Sequence, residues 1–135
     1  MKNLIFCFVL LFAFGCNSLK EKKEGDNTLE DGSYSVISIA GTDVSPEKLT
    51  LVISEKGQKV SGFGGCNNYS GNVNPQGSET LFSRLMTTKK YCNPGSTTET
   101  LFLKEMGNVA SVSVIGNAMN LNNADGESIL ILSNK

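Results

Sequence analysis

The stretch Gly64-Gly65-Cys66-Asn67-Asn68-Tyr69-Ser70-Gly71 decides how the chain is read. Glycine and asparagine favour turn conformations that branched residues avoid, so these residues close one strand and open the next, with a cysteine held in the turn. Gly62, Gly64 and Gly65 also invite a phosphate-cradle reading. Such a cradle needs a helix N-terminus directly after it, whereas Cys66 to Tyr69 leads into a polar turn and a strand, so the tight turn is the better reading. Asn68-Tyr69-Ser70 fits the N-glycosylation pattern, which a bacterial-type leader makes incidental.

Working upstream, Lys59 to Phe63 forms a strand, Glu55-Lys56-Gly57-Gln58 a turn, and Leu49, Leu51 and Ile53 share one face of the preceding strand, so this is a hairpin. Thr42 to Lys48, with Pro46, reads as a connection, and Tyr34 to Ile39, between Gly32 and Gly41, as the first strand. Downstream, Tyr69, Gly71 and Val73 share one face of a strand stopped by Asn74-Pro75-Gln76-Gly77, and Thr80 to Leu85 forms another. Thr87 to Asn93 is a polar connection carrying Lys89, Lys90, Tyr91 and Cys92. Ser96-Thr97-Thr98-Glu99 has capping-box spacing. Leu101, Phe102, Met106 and Val109 fall on one side of the helix it starts, and Gly107 marks its stop. This helix covers a sheet or plugs a barrel mouth. Val112 to Ile115, Met119 to Leu121 and Ser128 to Leu132 are strands turned at Gly116-Asn117 and Asn123 to Gly126. The fold class is mainly β with one α-helix, in a single domain over residues 32–135.

The start of the chain gives an address. Met1-Lys2-Asn3 precedes an apolar run, Leu4 to Phe14, that is too short to span a bilayer and reads as a secretory signal over residues 1–15. Cys7 leaves with it. Ala13-Phe14-Gly15-Cys16 resembles a bacterial lipobox, with Ala13 where Leu is usual and Phe14 where a small residue is usual. Lipidation of Cys16 would hold the protein on a membrane, because each buried methylene contributes about 0.8 kcal/mol. Residues 16–31, rich in charge with only Leu19 and Leu29 as aliphatic residues, read as a solvated tether.

Composition excludes several chemistries. The 12 basic and 13 acidic residues form no basic stripe, so a nucleic-acid partner is not expected. The chain has no histidine, which removes the usual general base, the triad base and the commonest metal ligand. Cys66 and Cys92 remain after the leader and the lipid site. In an exported chain they favour a disulfide over a redox pair or a metal site, since there is no Cys-x-x-Cys and no second pair to complete tetrahedral zinc. Asp43 with Glu47 and Asp125 with Glu127 could be imagined as acid/base pairs, but each sits in a turn where charge is expected anyway. Tyr69, Lys89, Lys90 and Tyr91 form the candidate binding surface beside the cysteines.

Gly64-Gly65-Cys66-Asn67-Asn68-Tyr69-Ser70-Gly71, Thr88 four residues before Cys92, and Glu99-x-x-Phe102-Leu103-x-x-Met106 closely resemble the META domain, the family of the heat-shock-inducible protein HslJ. Gly116-Asn117, Leu121, Asp125-Gly126 and Ile129 to Leu132 fit the end of that domain. The resemblance implies a small β-barrel-like antiparallel sheet of about seven to eight short strands with one helix, a place in the bacterial envelope, and a disulfide joining Cys66 and Cys92. It carries no established enzymatic activity. It does carry associations with stress or drug resistance, motility or virulence, and a fold similar to secretin-piloting lipoproteins. The segment before the second cysteine often reads Thr-Arg-Met-Ala-Cys in that family, but here it is Thr88-Lys89-Lys90-Tyr91-Cys92. The expectation is a non-enzymatic envelope lipoprotein, anchored in the outer membrane through Cys16, with no cofactor or metal. Its domain binds an envelope protein or an apolar ligand. The alternatives are a hydrolase or redox enzyme using the Cys66 and Cys92 region, or a passive assembly element.

Overall fold

In a computed structural model, residues 29–75, 78–92 and 97–135 are described. The signal segment, Cys16 and the tether as far as residue 28 lie outside the described residues, as does Ser96.

Among the described residues, nine antiparallel strands and one α-helix follow in the order β1 (Gly32–Ile39), β2 (Thr42–Asp43), β3 (Thr50–Ser54), β4 (Lys59–Phe63), β5 (Asn68–Val73), β6 (Phe82–Thr87), α1 (Thr98–Asn108), β7 (Ser111–Ile115), β8 (Ala118–Asn122) and β9 (Ser128–Asn134). Eight of them form one sheet in the order β6-β5-β4-β3-β1-β9-β8-β7, with β2 paired to β1. The sheet curls into a half-barrel with α1 packed against it, as the β-rich pattern predicts. The segment Thr42 to Lys48, expected to be a plain connection, contains β2 and a 3-10 turn at Ser45–Glu47.

Alternation sets the inner face. On β3, Leu51 and Ile53 are buried while Thr50, Val52 and Ser54 are half-buried, the two-residue period of a sheet with one face on the core. On β1, Tyr34 and Val36 point inward, and a bulge between Val36 and Ser38 shifts the register against β9 so that Ile39 is also buried. Leu121 on β8 and Leu130 and Leu132 on β9 complete the inner surface. Each such side chain contributes about 1.5–3 kcal/mol by burial.

The helix adds Phe102 and Met106, both fully buried. Leu101, expected on the same side, is 36% exposed and faces away from the core. Gly107 does not stop the helix, which runs to Asn108 and ends where Val109 turns extended and inserts into the core. There the Val109 carbonyl accepts from Leu81 N–H at 2.6 Å and Ala110 N–H donates to the Asn122 carbonyl at 2.8 Å. The chain leaving the helix therefore ties the approach to β6 to the end of β8.

The folded unit begins before Gly32. Leu29, assigned to the tether by composition, is buried. Asp31 accepts hydrogen bonds from the N–H groups of Lys56 and Gly57, and the Tyr34 hydroxyl donates to the Glu30 carbonyl at 3.0 Å. Charge content alone concealed this, because one aliphatic residue beside backbone partners is enough to dock a chain entry. The antiparallel pairing gives the half-barrel two ends. The entry end carries Leu29 to Gly32, the β3–β4 turn and the β7–β8 turn, and the corner end carries Gly64 to Asn67 and the segment from Thr87 to Cys92.

Candidate functional site

The corner is built around two side chains, Asn67 and Glu99. Gly65 takes φ +113°, a region open to glycine, and turns the chain after β4. The next two N–H groups, of Cys66 and Asn67, then point at the Glu99 carboxylate; Cys66 donates to Oε2 at 3.0 Å, and Asn67 donates to the same oxygen. A Cβ on Gly64 would meet Glu99 Cγ at 3.2 Å, so the missing side chain leaves room for the carboxylate.

Asn67 is buried and uses its whole amide. Its Nδ2 donates to Glu99 Oε1 at 2.8 Å and approaches Cys92 Sγ at 3.2 Å, while Oδ1 accepts from Thr88 Oγ1 at 2.9 Å and from Lys90 N–H at 2.7 Å. Thr88 Oγ1 in turn accepts from Asn68 N–H at 3.2 Å. The Cys66–Cys92 disulfide, with Cα atoms 5.9 Å apart, closes the arrangement covalently. The pairing expected from an exported chain and from the family pattern is the one present.

Ser96, the first member of the expected capping box, lies outside the described residues. The helix begins at Thr98 after Thr97, which makes no side-chain cap bond, and the Glu99 carboxylate reaches across to residues over thirty positions away. Partial burial pushes the Glu99 carboxyl upward, but donors from the Asn67 backbone and amide and from Cys66 outweigh it and hold the group below the ordinary carboxylate value.

Tyr69, read as part of an exposed binding surface, is corrected: it is 3% exposed. Its ring packs edge-on against Phe102 with centroids 5.4 Å apart, and its hydroxyl donates to the Thr50 carbonyl at 2.9 Å. Gly62 lies opposite it on β4, where a Cβ would fall 2.9 Å from the Tyr69 hydroxyl and 2.0 Å from the Thr50 carbonyl oxygen. Burial pushes the hydroxyl's pKa strongly upward. The signal was present in the shared face of Tyr69 and Val73, which packs against the core. Gly71 occupies a bulged position on β5 where a Cβ would come within 2.8 Å of the Leu85 side chain and the Ser83 carbonyl.

Lys89, Lys90 and Tyr91 stay together at the surface, with Tyr91 93% exposed. Met86, at the end of the edge strand β6, is 66% exposed beside them. The site thus has a rigid polar base and an exposed aromatic, basic rim.

Its polar groups are engaged with one another. Glu99 and Asn67 are occupied by hydrogen bonds, and both sulfurs are in the disulfide. The imagined carboxylate pairs serve other partners. Asp43 holds Ser45 by its hydroxyl at 2.7 Å and its N–H at 2.9 Å, which lowers its pKa, and Glu47 accepts from Thr98 Oγ1 at 2.8 Å. Glu127 accepts from Asn123 Nδ2 at 3.0 Å. Among the described residues, no cluster of three acidic or cysteine side chains could hold a metal ion.

No curated protein matches the chain. An NMR structure of a protein from Burkholderia xenovorans is similar, with a TM-score of 0.60 and 26% identity over 79% of this chain and 83% of that one. The profile of the META domain matches residues 27–135, a span that starts before Gly32 as the docking of Leu29 requires. The chain belongs to the META domain family.

Proposed function

We propose that this protein is a non-enzymatic lipoprotein of a bacterial envelope whose META domain binds another envelope protein and supports envelope or stress tolerance. One observation carries the reading. The segment Thr88 to Cys92 is pinned at Thr88, at the Lys90 N–H and at the Cys92 disulfide, yet it leaves Tyr91 almost wholly exposed. An aromatic residue on a rigid loop is the type of group that anchors protein interfaces, since little conformational freedom is lost on binding. Lys89 and Lys90, exposed and next to Tyr91 in the chain, give it a basic surround, so the complementary partner has acidic groups around an apolar patch. A protein partner is favoured over an apolar ligand because Phe102, Met106 and the inward leucines fill the half-barrel interior.

The leader and the lipobox-like Cys16 supply the address, with the outer membrane as the proposed site. Cys16→Ala should release the protein from membranes; retention after high-salt washing would contradict the anchor. Crosslinking in intact cells should capture a partner that is lost in a Lys89→Glu, Lys90→Glu, Tyr91→Ala variant present at the same level. An unchanged set of captured proteins would overturn the binding surface.

A further inference from the structure

The β7–β8 hairpin carries exposed apolar residues in an uncharged stretch of chain. From Met106 to Ala124 the chain contains no Asp, Glu, Lys or Arg. At the hairpin's tip Val114 is 55% and Ile115 68% exposed. Val112 and Val114 share a face of β7, but Val112 is buried and Val114 lies past the core, where it lines an open groove of about 750 Å³. Tyr34, Met119 and Glu30 line the same groove. Glu30 follows Leu29 at the start of the described chain, so the tether enters the domain at this groove.

Twelve residues separate Cys16 from Leu29, a reach of roughly 40 Å when fully extended. The strands span about 25 Å from entry end to corner end. A tether of this reach leaves the domain free to turn, but it roots at the entry end, so the hairpin lies nearer the point of attachment than Tyr91 does. We infer that Val114 and Ile115 dock into the interface of the membrane that holds the chain, with the hairpin tip resting between lipid headgroups. This rests on the lipid-anchor reading proposed above. The chemistry fits zwitterionic lipid: the tip is uncharged, and around it Glu30 and Asp31 are offset by Lys56 and Lys135 at the same end, so no charge of one sign selects an anionic surface. Insertion stops at headgroup depth, because β7 is an edge strand whose unpaired backbone groups need water or headgroups as partners.

The chain contains no tryptophan, so one introduced indole reports alone. The test uses the full chain carrying Ile115→Trp or, at the opposite end, Tyr91→Trp, each incorporated into phosphatidylcholine vesicles containing a brominated phosphatidylcholine. The expected result is blue-shifted and quenched emission for Ile115→Trp, persisting in 0.5 M salt at about the same level, with Tyr91→Trp unquenched. Equal quenching at both positions, or none at position 115, overturns the inference. Mass measurement of the acyl group on Cys16 separates the two readings. An acylated chain with an unquenched Trp at 115 keeps the anchor and removes the docking, whereas quenching without acylation keeps the docking and removes the anchor.

Discussion

The two ends of the half-barrel solve one problem, turning the chain between antiparallel strands, with opposite means. At the corner, Gly64 to Asn67 is held by a buried amide, a carboxylate and a disulfide, and no buried side-chain polar atom among the described residues lacks a partner. At the β7–β8 turn, Gly116-Asn117 closes a two-residue hairpin whose flanking Val114 and Ile115 are left in solvent. The first end spends its side chains on itself, and the second leaves them free for a surface. Rigidity and exposure are thus divided between two ends of a small fold, and the loop from Thr88 to Cys92 combines them.

Removing the disulfide tests the contrast most severely. Cys66→Ala with Cys92→Ala should lower stability by about 3 kcal/mol, as expected for a closed loop of this size, read as a lower urea midpoint with a somewhat steeper slope, because the unlinked chain unfolds to a more open state. A midpoint unchanged from the oxidised wild type would mean that the hydrogen bonds alone hold the corner.

Next in size is Glu99→Gln, which replaces a carboxylate acceptor of three bonds by an amide and should cost about 1–2 kcal/mol near neutral pH. Because the folded Glu99 carboxyl lies below its ordinary value of 4.5, its stabilisation is complete above that pH and lost as pH falls through the folded value. The melting temperatures of wild type and variant should therefore converge in acid. Curves that stay parallel down to pH 3 would contradict the charge-assisted clamp.

Tyr69→Phe keeps the ring against Phe102 and removes only the bond to the Thr50 carbonyl, with an expected cost of about 1 kcal/mol. The smallest effect belongs to the other end. Val114→Ser with Ile115→Ser should change folding stability by no more than about 0.5 kcal/mol per site, since both positions are exposed. A loss comparable to that at the corner would show that the tip is part of the core after all.

What could be read from the sequence follows the range of the interactions. The Leu51 and Ile53 alternation, the hairpin turns and the apolar side of α1 are local, and the strands and helix were placed from them. The cysteine pair is long-range but has only one sensible partner, so the compartment and family pattern sufficed. The long-range role of Glu99 is not legible, because its spacing from Ser96 matches a local cap and nothing in one sequence says that a carboxylate will cross to Cys66 and Asn67. Tyr69 reads as a surface residue because it lies beside Cys66 at the corner, although its shared face with Val73 points inward. Leu29 was lost in a charged tether because docking of a chain entry depends on the groove it meets, which exists only after β1 and β3 have paired.

The central claim is that the corner makes an exposed loop rigid, and amide hydrogen exchange at Lys90 tests it most directly. Its N–H donates to the buried Asn67 Oδ1 although the residue itself lies at the surface. The account predicts exchange as slow as that of the β5 strand amides, and acceleration at Lys90 in Asn67→Ala with the β3 amides unaffected. Exchange of the wild-type Lys90 amide at the rate of an unprotected loop would contradict it.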